Sequence, residues 1–130
     1  MAAKNLVNLI HPTTVEGINQ TTINVLTASG TSREFGEFGS ADAVVFYVDC
    51  SAVTGTGSLQ FAWQERDPAT YQFFTASDAP AFAAITGVLG TPLRYVQDPC
   101  YGDTYQLAWT LTGFTSASVS VVGQLITRGH

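Results

Sequence analysis

Alternation of apolar and polar side chains at every second position is the feature that most restricts the fold of this chain. In the segment "LQFAWQE" the apolar positions are Leu59, Phe61 and Trp63. The segments 104–111 and 116–126 alternate in the same way. A period of two places neighbouring side chains on opposite faces of a β-strand, and helical spacing is scarce throughout the chain. The chain is therefore predicted to be all-β.

Glycines and two Asp-Pro pairs separate these alternating segments, as expected for turns between short strands. At 130 residues the chain is long enough for one domain. The pattern predicts an irregular N-terminal arm over residues 1–20 and an antiparallel β-sandwich, jelly-roll-like in strand order, over residues 21–130. One helical turn is expected near 80–85. The predicted strands are 21–28, 43–50, 59–65, 71–76, 93–97, 104–111 and 116–126.

The strand at 43–50 is apolar on both faces, which is unusual for a sheet with one solvated side. Its sequence "AVVFYVDC" places Val45 and Tyr47 on one face and three further apolar residues on the other. A strand of this kind must meet a second layer or a partner on its second face. We therefore expect Val45 and Tyr47 to belong to an interface, with the choice of core face left open.

Charge is sparse: charged residues make up 12% of the chain, the formal net charge is -5, and Lys4 is the only lysine. Binding to nucleic acid or to an anionic membrane requires a basic surface, so neither partner is expected. No apolar run reaches the roughly 18–20 residues of a membrane span, and the N-terminus lacks a signal-peptide pattern. The sequence thus predicts a protein made in the cytoplasm.

The residues that usually perform catalysis or bind metals are few and scattered. A hydrolytic triad requires a rigidly held histidine, and His11 lies in the predicted arm while His130 ends the chain. Cys50 and Cys100 have no neighbouring ligands of the kind that a zinc site needs. We expect no catalytic residue, no metal and no cofactor, and leave open whether the two cysteines form a disulfide.

Acidic residues flank the two Asp-Pro turns, with Glu65 and Asp67 at the first and Asp98 and Asp103 at the second. Two carboxylates across a cleft could hydrolyse a glycoside, and clustered oxygen ligands could bind calcium, although no calcium-binding spacing is present. Aspartate before a turn already has a structural role, so we interpret these residues mainly as turn formers. The same two loops could lie at one end of the sandwich.

Two aromatic residues beside these turns, Tyr71 and Tyr101, are expected to be the most exposed of the tyrosines and tryptophans. The two tryptophans share a face with leucines and are expected in the core. Exposed tyrosines beside polar loops could stack against sugars, so a carbohydrate-binding module is an alternative function.

The segment "VDCSAVTGTGSLQFAWQERDPATYQFF", followed by "LRYV" and "YQLAWTLTGFTSASVSVVGQLI", resembles a class of small structural proteins of tailed bacteriophages. The resemblance covers roughly residues 43–126 and consists of strand and turn patterns. This chain departs from the class by the insertion "DPCYGDT" before its penultimate strand, which makes the strand pairing there uncertain.

The resemblance implies a non-enzymatic virion protein, a capsid decoration (cement) protein that binds the major capsid protein on the capsid exterior. It also implies self-association as a homotrimer or another small oligomer, and related sandwiches lie at the head-tail junction or in tails. The arm could contact a neighbouring subunit or the capsid by strand addition. The expected interface residues are Leu6, Val7, Leu9, Ile10, Val45 and Tyr47.

Overall fold

The computed structural model describes residues 3–10 and 24–127, and for residues 3–10, Asn24, Glu37 and Ser40 it describes the backbone only. Its strands are antiparallel, which confirms the predicted all-β class. A short 3-10 helix lies at Glu37–Ser40. The strands are β1 (Ala3–Ile10), β2 (Asn24–Leu26), β3 (Gly30–Thr31), β4 (Ala43–Arg66), β5 (Phe73–Phe74), β6 (Leu93–Gln97) and β7 (Tyr105–Thr127).

Two very long strands, β4 and β7, pair with each other from Ala43 to Glu65, and each of the other described strands pairs with one of these two. The sequence predicted two shorter strands in place of each, separated by glycine turns at 51–58 and 112–115. In the structure both strands continue through these glycines, and the pairing register shifts three times between Cys50 and Ser58. Shifts of this kind are β-bulges, which bend and twist a strand pair without ending it.

The bend folds the sheet over on itself. Phe46 and Trp63 lie in the same strand, 17 positions apart, where straight β-structure would separate them by about 56 Å. Their ring centroids are nevertheless 4.9 Å apart. The two halves of the β4–β7 pair therefore face each other as the two layers of a β-sandwich.

We call these layers leaf A and leaf B. Leaf A contains residues 43–50 of β4 and 117–126 of β7, with β6 at one edge and β1 and β2 at the other. Leaf B contains residues 58–66 of β4 and 105–112 of β7, flanked by β5 and β3. A jelly-roll strand order stays a prediction.

Aromatic side chains fill the space between the leaves. The Trp63 indole stacks on the Tyr105 ring at 5.0 Å with 7° between the planes, and Phe46 and Phe38 approach it edge-on. Such pairs each add about 0.5–1.5 kcal/mol beyond the area they bury. The expectation that Trp63 belongs to the core is confirmed, whereas Trp109 is only partly buried and donates its indole N–H to the carbonyl of Ala28.

Two irregular segments close the open sides of the sandwich. Phe35 and Phe38 of segment 32–42 pack against Trp63. In segment 75–92, Phe82 contacts Phe46 of leaf A and Phe61 of leaf B. This second segment was expected to contain a helical turn near 80–85, but residues 80–84 form no helix, and Ile85 exchanges two backbone hydrogen bonds with Leu59 of β4.

Residues 3–10, part of the predicted N-terminal arm, have an extended backbone and form an edge strand of leaf A. Leu6 and Val7 lie opposite Gln124 and Gly123 of β7. Backbone hydrogen bonds to β7 do not depend on an alternating sequence, which this segment lacks. The remaining arm residues, 1–2 and 11–20, lie outside the described residues.

Candidate functional site

The outer surface of leaf A carries an apolar patch. On β4, Val44, Phe46 and Val48 are fully buried, so the intervening residues Val45 and Tyr47 face outward. The face of β4 that carries Val44, Phe46 and Val48 is therefore the core face, which the sequence analysis had left open. Tyr47 is 39% exposed, and its hydroxyl donates to Gln124 Oε1 at 3.3 Å.

Neighbouring strands extend this surface. Val45 lies opposite Val96 of β6, and Tyr47 lies opposite Val122 of β7. Residues directly opposite each other in an antiparallel pair share a face of the sheet. Val96 is 50% exposed. We define the outer patch as Val45, Tyr47, Val96 and Val122.

The sequence identified half of this patch. Val45 and Tyr47 were found because their strand is apolar on both faces, whereas Val96 and Val122 were missed. Their membership depends on the register of β6 and β7 against β4, which no local pattern reveals. Of the other expected interface residues, Leu6, Val7, Leu9 and Ile10 lie in β1, for which the structure describes the backbone alone. The interface role of all six stays a prediction.

A second surface lies where β4 ends, at the opposite end from the bend. The loops 67–72 and 98–104 both lie there, an arrangement that the sequence analysis left open, and we call this region the loop end. Arg66 connects them: its guanidinium lies 3.8 Å from the Asp103 carboxylate and 5.2 Å from the centroid of the Tyr71 ring. It also lies 3.8 Å from Glu34. Arg66 was not identified from sequence, because an arginine beside a turn resembles any solvated loop residue.

The carboxylates of the loop end have structural partners. Asp67 Oδ1 accepts the backbone N–H groups of Ala69 at 2.8 Å and Thr70 at 3.3 Å, which lowers the pKa of this exposed carboxyl. This confirms its interpretation as a turn former. Asp103 pairs with Arg66. Burial, and then the charge of Asp78, raise the pKa of Glu65.

No group of three or more His, Cys, Asp and Glu residues in the described ranges is arranged to hold a metal ion. Within the same ranges, no helix is long and apolar enough to cross a membrane.

Both cysteines are free thiols. The backbone N–H of Cys100 donates to the carbonyl of Asp42 at 3.0 Å. Asp42 directly precedes β4, and Cys50 is the eighth residue of that strand. Eight extended residues span about 26 Å, whereas a disulfide needs Cα atoms within about 7 Å. The open question of a disulfide is therefore answered: this fold holds the two sulfurs apart.

We expect neither thiol to react quickly with Ellman's reagent at pH 8 in the native protein. Burial raises the pKa of Cys100 to about 11 and also raises that of Cys50, and the thiolate is the reactive form. In urea without reductant both should react at once. A denatured protein that releases no colour until reductant is added would contradict the separation of the sulfurs.

Comparison with known proteins supports the β-sandwich class. No protein-family model matches the chain, and no curated protein matches it. Among solved structures, the fold is similar to that of the SPBc2 prophage-derived protein YomS, with a TM-score of 0.56 and 14% sequence identity. The alignment covers 98% of this chain and 96% of that one. At this identity the likeness establishes a shared fold.

A further structure is similar at a TM-score of 0.49 and 15% identity: the Clostridium thermocellum N-terminal endo-1,4-β-D-xylanase 10B, comprising CBM22-1 and GH10 modules complexed with xylohexaose. The alignment covers 99% of this chain and 25% of that chain, so this chain spans a quarter of the longer protein. The likeness is too weak to carry a functional argument.

Proposed function

We propose that this protein is a non-enzymatic structural component of a bacteriophage virion, a capsid decoration protein that binds the outer surface of the major capsid lattice. The observation that carries the proposal is the outer patch. Four apolar side chains lie on one outer sheet surface, bordered by Arg94 opposite Tyr47 and Gln124 opposite Val45, and two of the four, Tyr47 and Val96, are 39% and 50% exposed. Exposed apolar patches on otherwise polar proteins mark interaction surfaces.

The remaining surface is compatible with dense packing on a shell. Charged residues are 12% of the chain, so copies bound side by side repel each other little. Each copy needs only a modest affinity, because an oligomer that contacts several capsid subunits at once gains strength by multivalency. The shared fold with a prophage-derived protein, which extends over nearly all of both chains, is consistent with a phage origin.

The test is co-sedimentation with empty capsids. We expect the wild-type protein to pellet in a fixed ratio to the major capsid protein. The variant Tyr47→Asp should bind at least ten-fold more weakly, because it places a carboxylate in an apolar contact from which water is excluded. Light scattering of the free protein measures the expected small oligomer.

The control is Tyr71→Asn at the loop end, which should pellet like the wild-type protein. Failure of the wild type to bind capsids, or undiminished binding by Tyr47→Asp, would overturn the decoration assignment. Binding to isolated tails or connectors in place of capsids would instead support a component of the head-tail junction or the tail.

A further inference from the structure

The loop end differs from the outer patch in chemistry: its exposed aromatic rings stand among hydrogen-bonding groups. Tyr71 is 68% exposed and Tyr101 is 79% exposed, and both belong to the loops that Arg66 joins. We propose that the loop end is a binding site for a neutral polysaccharide, in which Tyr71 and Tyr101 stack against sugar rings. This site consists of residues other than those of the outer patch and does not depend on capsid binding.

The backbone of Tyr71 is in the left-handed region, with φ of 61°. An aromatic residue rarely adopts this conformation, which costs on the order of 1–3 kcal/mol. The loop compensates with hydrogen bonds: the Tyr71 N–H donates to the Asp67 carbonyl at 2.8 Å, and the Asp67 N–H donates to the Gln72 carbonyl at 2.8 Å. Asparagine or glycine would occupy this position at lower cost, so the backbone conformation does not explain an exposed tyrosine here.

The Tyr71 ring is also held in place. One side of it faces the Arg66 guanidinium, which lies 3.8 Å from the carboxylates of both Glu34 and Asp103. The rest of the ring remains open to solvent. A ring that is fixed before a ligand arrives loses little entropy on binding, which favours stacking against a flat ligand face.

The second loop is fixed in a comparable way. The Gly102 N–H donates to the buried Tyr105 hydroxyl at 2.8 Å, and the Cys100 N–H is bonded to Asp42. Tyr101 stands between these two anchored residues with its side chain exposed. Tyr101 lies two residues before Asp103, which pairs with Arg66. The Cα atoms of Tyr101 and Asp103 are therefore within about 7 Å of each other.

The polar groups around the rings indicate the class of sugar. Glu34 and Asp103 have exposed carboxylates, and Thr70 and Gln72 are exposed beside Tyr71. These groups can accept or donate hydrogen bonds to sugar hydroxyls. Asp67 adds further negative charge, and Arg66 is already paired, so an anionic polymer would be repelled. These charges favour an uncharged polymer over an anionic one.

The test is affinity electrophoresis in native gels that contain one soluble polymer each: hydroxyethyl cellulose, arabinoxylan, galactomannan, laminarin, or the anionic polygalacturonate. We expect at least one neutral polymer to retard the wild-type protein. Tyr71→Asn and Tyr101→Ser should each lower the association constant at least ten-fold. The variant Tyr47→Asp should be retarded like the wild type.

Stability distinguishes loss of the ring from loss of the fold. Because asparagine tolerates the left-handed backbone, Tyr71→Asn should unfold at the same urea concentration as the wild type or a higher one. The proposal is overturned if no neutral polymer retards the wild type, if both variants are retarded undiminished, or if polygalacturonate binds equally well. Capsid co-sedimentation of the same three variants measures binding through the outer patch alone. The capsid-binding proposal and the polysaccharide-binding proposal can therefore fail independently.

Discussion

Phe46→Ala is expected to lower the free energy of unfolding by about 3–5 kcal/mol. Phe46 is fully buried in leaf A, and its ring contacts Trp63 of leaf B at 4.9 Å and Phe82 of the closing segment at 5.5 Å. One truncation thus removes contacts between both leaves and the segment that covers them. Urea denaturation followed by tryptophan fluorescence measures the loss, and Trp63 beside the new cavity provides a sensitive signal.

The matched control is Phe74→Ala, which makes the same chemical change on the edge strand β5, where the side chain is 44% exposed. Its cost should be about 1 kcal/mol or less, because little packing is lost. Equal costs at the two positions would mean that Phe46 does not lie between the leaves, and the folded-over sheet would then be wrong.

Strand content and the inward face could be predicted from sequence because both depend on local alternation. Ala117, Val119 and Val121 occupy alternate positions of the segment 116–126, and all three are buried. The strand at 93–97 was placed with its observed bounds. Alternation of this kind is imposed by one buried face and needs no knowledge of partner strands.

The connection of strands could not be predicted in the same way. A glycine between two alternating segments is compatible with a hairpin turn or with a bulge in a continuous strand. The difference lies in the partner: Gly55 pairs with Phe114, far away in sequence, and the pairing continues on both sides. Long-range register decides the outcome, and a single sequence contains no direct signal for it.

In the candidate sites, too, local properties could be predicted from sequence and long-range contacts could not. Tyr71 and Tyr101 were identified as exposed because each follows or precedes turn residues, a local property. The connection of their two loops through Arg66, which contacts Tyr71 and Asp103, was missed, because it depends on how the ends of β4 and β6 approach each other. The same holds for Val96 and Val122 in the outer patch, which join Val45 and Tyr47 only through cross-strand register.

No side chain should fit in the bend at the point where the backbones of β4 and β7 approach each other most closely. A Cβ atom added at Gly57 would overlap the carbonyl oxygen of Thr112 and lie 2.7 Å from the backbone nitrogen of Phe114. Gly113 on the facing strand has φ of +80° and approaches Thr56 in return. Backbone atoms on both sides leave no flexible group to yield. Gly57→Ala is therefore expected to cost about 3 kcal/mol or more, or to prevent folding.

Gly87→Ala is the matched control, because an added Cβ atom there meets nothing within 4 Å. It should be neutral or raise stability by up to about 1 kcal/mol, since alanine restricts the unfolded chain. Urea midpoints of the variants, with Gly113→Ala as a second test of the bend, measure the difference. Wild-type stability of both bend variants would show that β4 and β7 do not approach closely at Gly57. Because the bend brings the two leaves together, its loss should abolish both capsid binding and polysaccharide binding. In contrast, Tyr47→Asp should weaken capsid binding alone, and Tyr71→Asn should weaken polysaccharide binding alone.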